Sequence, residues 1–314
     1  MRFLNELREG EMIKETYLCK QLQTLKTKAG KSYYSMLLQD KTGTMDAKVW
    51  DLGAGIDHFE TMDYIHIEGQ VTSFQGTLQL NIKRVRRSQE GEYNPADFMP
   101  TTTKNVEEMY KELLSYIAKI KEPHVKALVN SFFVDDKEFI KKFKNHSAAK
   151  SVHHGFIGGL LEHTLGIVRL CNYMCDNYPI LQRDLLVTSA LFHDLGKLEE
   201  ISPFPENDYT DEGNLLGHIF IGTAKVNERI KTIPGFPPKM ANEIMHCILA
   251  HHGELEYGSP KKPALAEALA LSMIDNLDAK MQTMTELLSG ADDKTDWLGF
   301  QRLFDSNIRR TSEY

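Results

Sequence analysis

Apolar and polar positions alternate along the first ninety residues, as in Tyr34/Met36/Leu38, Ile65/Ile67 and Leu78/Leu80/Ile82. A period of two is the signature of strands with one buried face. The runs are cut by Lys28-Ala-Gly-Lys31, Asp40-Lys-Thr-Gly43 and Ser73-Phe-Gln-Gly76, which carry turn residues. The pattern predicts five strands, near 14–27, 32–40, 44–51, 63–73 and 77–86. Five short strands leave exposed edges unless they close, so a small barrel is expected. From residue 105 onward the period lengthens. Val106-Glu-Glu-Met-Tyr-Lys-Glu-Leu-Leu-Ser-Tyr-Ile117 spaces its apolar residues three and four apart, and similar helices are predicted near 123–133, 136–145, 157–177, 181–194, 216–231, 238–252 and 264–288. Residues 91–105, with Pro95, Pro100 and Thr101-Thr-Thr103, read as a linker. The expected organisation is a small all-β domain over 1–90, a linker over 91–105 and an all-α domain over 106–314, with no internal repeat.

Composition narrows the class. The 314 residues are 41% hydrophobic and 26% charged, which excludes a disordered chain and a disulfide scaffold. Net charge is −7, whereas a protein that coats nucleic acid non-specifically is basic. Residues 1–90 carry 13 basic and 12 acidic side chains against 24 and 32 in the remainder, so a polyanion has to be met locally. Charges interrupt Met1-Arg-Phe-Leu-Asn-Glu-Leu-Arg-Glu-Gly10 where a signal peptide needs an apolar stretch. No apolar run approaches the ~20 residues that span a bilayer. Cys19, Cys171, Cys175 and Cys247 are few enough to read as reduced thiols of a cytoplasmic protein.

The histidines carry the chemistry. Most of the 12 fall between 146 and 252, in apolar helical surroundings. His163 is in line with Leu160 and Ile167. His193-Asp194 ends the run Leu185 to Phe192 and is followed by Leu195-Gly-Lys197. His218 lies in Leu215-Leu-Gly-His-Ile-Phe-Ile221, His251-His252 follows Ile248-Leu-Ala, and Asp275 follows Leu269-Ala-Leu-Ser-Met-Ile274. One such residue is ordinarily a satisfied core histidine. Five insertions in one domain are different, because buried imidazoles and carboxylates need partners and a divalent cation satisfies several at once. A mixed nitrogen and oxygen set suits Mn, Fe, Co or Zn better than Ca.

His163…His193-Asp194…Asp275 resembles the H…HD…D signature of the HD-domain phosphohydrolases, all-helical metal-dependent phosphoesterases. His193-Asp-Leu-Gly-Lys197 matches its HDxGK form. The resemblance covers roughly 145–290. It implies one metal on His163, His193, Asp194 and Asp275, and a second on His218, His251 and the bridging Asp194. His252 is an alternative or additional ligand, and Asp278 either supports the site from behind or is a surface carboxylate. Two ions there would generate a hydroxide near neutral pH to attack phosphorus in line. Lys197, at i+3 from Asp194, would meet the developing charge on phosphate; its plain alternative is a dipole-capping lysine. Gly253-Glu-Leu-Glu-Tyr-Gly258 stands where cyclic-dinucleotide HD enzymes carry a GYP element, which counts against that substrate.

Residues 63–85 resemble the later strands of an oligonucleotide-binding (OB) fold. Tyr33, Tyr34, Trp50 and Phe74 are its candidate base platforms, with Lys83 and Arg84 beside them and Lys26, Lys28, Lys31, Arg86 and Arg87 around. Alternation puts Tyr33 and Tyr34 on opposite faces, so one of them is core. An OB fold ahead of an HD domain, with Leu160-Leu-Glu-His-Thr and Asp275-Asn-Leu-Asp-Ala-Lys280, is similar to the YhaM-type 3′→5′ exoribonucleases of Gram-positive bacteria. That resemblance implies a homo-oligomeric nuclease on single-stranded RNA, and to some degree DNA, with manganese or cobalt preferred over iron or zinc. Two other readings use the same residues: a phosphohydrolase of free nucleotides or signalling dinucleotides with the barrel as regulator, and a nucleic-acid adaptor with an inert HD domain.

Overall fold

In the computed structural model, residues 1–312 are described except 54, 75–76, 95–96, 151–153 and 290–295. The centre of the turn at 73–76 and Pro95 therefore lie outside the described residues. Two compact units emerge: Met1–Thr103 with Ser202–Asp208, and Lys104–Ile201 with Tyr209–Tyr314.

Five strands form the first unit: β1 (Met12–Lys26), β2 (Ser32–Asp40), β3 (Gly43–Val49), β4 (Tyr64–Phe74) and β5 (Thr77–Arg87). They close in the order β1-β2-β3-β5-β4, with β3 and β5 parallel and the other pairs antiparallel, which is the OB arrangement. Closure rests on β1. Its first half pairs with β4 and its second half with β2, and an irregularity between Cys19 and Gln21 lets it bend from one to the other. Tyr17, Leu38, Ile65, Ile67 and Leu80 fill the interior completely buried. The stretch read as a linker is partly packed on this unit: Phe98 is fully buried and its carbonyl accepts a hydrogen bond from Gln39.

Helices α1 (Val106–Ile117), α2 (Pro123–Phe133), α3 (Lys137–Asn145), α4 (Gly159–Asn177) and α5 (Arg183–Phe192) begin the second unit. They are followed by α6 (Lys197–Glu200), α7 (Asp211–Lys231), α8 (Pro238–Leu249) and α9 (Ala266–Ser289). Apolar stripes at helical spacing converge on one core; Phe133, for example, packs against Phe139, Phe143 and Phe192. The all-helical expectation needs correction at the end of the chain. Two short aromatic and β-branched segments form a hairpin of β6 (Trp297–Gln301) and β7 (Ser306–Arg309), too short to register beside the long helices. The helix expected from 216 starts at Asp211, where Thr210 caps it, and breaks at Gly217, whose φ is 71°. No helix among the described residues is long and apolar enough to cross a membrane.

Removing the fully buried Phe133 ring leaves a cavity that neighbouring aromatics cannot collapse into. Phe133→Ala is expected to cost about 3–5 kcal/mol of helical-unit stability, read as a lowered urea midpoint by far-ultraviolet circular dichroism.

Candidate metal centre

The candidate residues come from five separate elements, three of them at an end or a break of a helix. His163 projects from the first turns of α4. α5 stops at Phe192, so His193 is its C-cap, and Asp194 enters a tight turn closed by Lys197 N–H donating to the Asp194 carbonyl. His218 directly follows the break at Gly217. His251 and His252 leave the end of α8, and Asp275 and Asp278 lie one turn apart on α9. Gly196 brings two of these pieces together, since a Cβ there would overlap the His218 carbonyl oxygen. The glycine of the HDxGK pattern thus lets α7 lie directly on the His193-Asp194 turn.

The side chains meet in two groups joined by one carboxylate. In the first, His163 Nε2 and His193 Nε2 are 3.1 Å apart, each 3.3 Å from Asp194 Oδ2, and Asp275 Oδ1 is 3.2 Å from His163 Nε2. In the second, His218, His251 and His252 each turn a ring nitrogen into a common space. Asp194 Oδ1 faces this second group, 3.6 Å from His218 Nε2 and 3.8 Å from His251 Nε2. Asp194 thus presents one oxygen to each group.

Protonation follows from what the outer nitrogens touch. Nδ1 of His163 meets Asp278 Oδ2 at 2.8 Å, and Nδ1 of His218 meets Glu200 Oε1 at 2.9 Å. Nδ1 of His193, His251 and His252 meets the carbonyl oxygens of Ala190, Ile248 and Tyr257 at 2.7–2.8 Å. A carboxylate or a carbonyl can only accept, so all five Nδ1 atoms carry a proton and all five Nε2 atoms face inward. Nε2 of His218 and of His251 is buried with no hydrogen-bond partner. Burial, then His193 and His252, hold the His251 pKa well below the usual range, so it stays a neutral donor of electrons. Burial and the neighbouring His218 also lower the His252 pKa. Burial alone would raise the Asp194 pKa, but Lys197 and His193 reverse this and keep it ionised. His163 is likewise opposed by burial yet held well above its ordinary value by Asp194, Asp275 and Asp278. A proton on its Nε2 competes with a cation for the same lone pair.

A buried collection of lone pairs and carboxylates with few donors fits a divalent cation. Lys197 meets part of that demand: its Nζ lies 2.7 Å from Asp194 Oδ2. All six residues expected as ligands, with His252, come together here. Glu200 and His154 were not singled out in the sequence. Glu199-Glu200 resembles any solvated acidic pair, and only the fold shows that the second is buried.

The barrel candidates are less unified. Tyr33 stacks on Trp50 with ring centroids 4.6 Å apart, while Tyr34 turns to the core against Phe59. The β3–β5 register pairs Lys48 with Asn81, which brings Trp50 toward Lys83. Phe74 is 64% exposed but pairs with Thr77 at the far end of β5, about 20 Å along the strand from Lys83. Arg84, Arg86 and Arg87 already face Glu68, Glu92 and Asp63.

Because Gly196 contributes no side chain to the site, Gly196→Ala is expected to force α7 off the turn and reduce divalent-cation affinity about tenfold or more. Equilibrium dialysis with Mn²⁺ checks it.

Residues 160–280 match the HD domain family. The chain is 33% identical over 281 residues to the 3′-5′ exoribonuclease YhaM of Geobacillus sp. (strain WCH70), covering 89% of this chain and 86% of that protein. It is 34% identical to that of Bacillus subtilis (strain 168), covering 89% and 88%. Among solved structures, the second OB-fold domain of replication protein A from Methanococcus maripaludis is 15% identical, with a TM-score of 0.24 over 29% of this chain and 98% of that one. Similarity at this level, running from the barrel through the HD domain along nearly nine-tenths of the sequence, establishes that the chain belongs to the family of YhaM 3′-5′ exoribonucleases.

Proposed function

We propose that this protein is a metal-dependent 3′-5′ exoribonuclease that hydrolyses the terminal phosphodiester of single-stranded RNA, and of single-stranded DNA to a lesser degree. The nuclease activity follows from the family and from the HD domain. The two-ion form of the reaction is carried by one observation: the two oxygens of Asp194 are divided between two histidine groups. His163, His193, Asp194 and Asp275 would hold one ion; His218, His251 and Asp194, joined by His252, would hold the other. Divalent ions bound there would supply Lewis acidity and an acidified water; Mn²⁺ is the metal the family resemblance implies, and the nitrogen-rich donor set is equally open to Co²⁺, Fe²⁺ and Zn²⁺.

The chain's own residues do the rest. The imidazoles keep their Nε2 atoms pointed inward because their Nδ1 protons are tethered, so the rings need not turn when the site is loaded, although His163 must give up the proton on its Nε2. Lys197, whose ammonium lies against Asp194, would share its positive charge with a phosphate oxygen arriving beside that carboxylate. On the barrel, the Tyr33–Trp50 stack offers a sequence-tolerant surface for bases, with Lys83 and Arg84 for the backbone and Phe74 as a separate contact nearer the β4–β5 turn. An acidic protein with a small basic patch holds a strand without being trapped along long RNA. The cysteines are free, in keeping with a cytoplasmic enzyme, and as in the resemblance drawn above it would act as a homo-oligomer.

End-labelled single-stranded RNA incubated with Mn²⁺ is expected to yield a ladder receding from the 3′ end, abolished by chelation. Asp194→Ala should reduce turnover at least 10³-fold while RNA binding persists; retained turnover would refute the shared-carboxylate reading. Trp50→Ala should raise KM for a long RNA about tenfold or more, from the loss of one stacking contact, and leave hydrolysis of a small chromogenic phosphodiester unchanged. Equal losses on both substrates would count against the barrel as the strand holder.

A further inference from the structure

Behind the first histidine group lies a second arrangement that the reaction does not use directly. Asp278 Oδ2 accepts from His163 Nδ1 at 2.8 Å and also contacts His154 Nε2 at 3.3 Å. His154 is only 5% exposed, and its backbone takes the left-handed conformation at φ 60°, uncommon for a residue with a side chain. Two glycines of α4 make room for this pair, Gly159 for His154 and Gly166 for Asp278. A Cβ at Gly159 would overlap the His154 carbonyl, and a Cβ at Gly166 would come within 3.1 Å of Asp278 Oδ1. Strained backbone, two clearances and a buried imidazole thus converge on one carboxylate that lies outside the two histidine groups.

The other group has a counterpart. Glu200 Oε1 accepts from both the backbone N–H and the Nδ1 of His218, each at 2.9 Å. His193 and His251, by contrast, lean on backbone carbonyls that no substitution removes. Each group therefore contains one imidazole whose direction depends on a replaceable carboxylate.

We propose that Asp278, steadied by His154, is a positioning residue for the ion on the His163 side alone, and that Glu200 plays the same part for the ion on the His218 side. The proposal rests on the two-ion reading above. It adds that each ion's affinity is set separately, from outside the inner groups. An outer carboxylate that fixes a ligating imidazole typically contributes ten- to hundredfold in metal affinity.

The test is Mn²⁺ titration of the full chain by calorimetry, with bound metal counted after dialysis. Wild type is expected to take up two ions. Asp278→Asn should weaken one binding step about ten- to hundredfold and leave the other within about twofold; Glu200→Gln should weaken the other step, and the double variant both. Gly166→Ala, which keeps every polar group and only crowds Asp278, should weaken the same step as Asp278→Asn and provides the measurement if that variant does not fold. A general loss of stability would weaken both steps together, and that outcome overturns the proposal, as do variants that bind like wild type. Should wild type itself take up no Mn²⁺, the two-ion reading fails and this proposal with it; two ions on wild type with unchanged variants overturns only the positioning role.

Discussion

Everything in the helical unit is arranged around an electrostatic problem that the chain does not solve by itself. Several imidazoles, the buried carboxylate of Asp194 and the half-buried one of Asp275 lie within a few ångströms of one another, with the Lys197 ammonium among the few cationic groups reaching them. Burying so many acceptors is costly unless positive charge is brought among them. The outer hydrogen bonds make the demand sharper. By holding every Nδ1 proton outward, they prevent the rings from turning to satisfy one another, and they leave the inner nitrogens for a cation.

That constraint explains features that otherwise look like local irregularities. The end of α5 at His193, the break in α7 before His218 and the exit from α8 at His251 all put a ligand-type side chain where a helix stops. Gly196 permits the backbone contact that holds two of these stops together, and Gly159 and Gly166 clear space behind a third histidine. The apolar core, including the Phe133 cluster, supplies the rigidity that keeps the pieces in register.

The strands and most helices were legible because periodicity is a local property. β2 and α1 lie where the pattern puts them, and the barrel closes through pairings that five short strands could hardly avoid. The ligand-type residues were legible too, since polar groups inside apolar helices such as His163 and Asp275 contradict their surroundings. Other features left no such trace. Glu200 looks like a surface acid until α7 folds over it, and the strain at His154 is a backbone angle that composition does not encode. The hairpin near 297–309 was masked by brevity. On the barrel, alternation separated Tyr33 from Tyr34 but said nothing of distance along the sheet, so Phe74 was grouped with residues that lie far from it.

The most direct test of the central claim is a crystal structure of the Mn²⁺-loaded protein with anomalous scattering collected at the manganese edge. Two peaks on opposite sides of the Asp194 carboxylate, one among His163, His193 and Asp275 and the other among His218, His251 and His252, are the expected result. A single peak, or manganese bound away from Asp194, would contradict it.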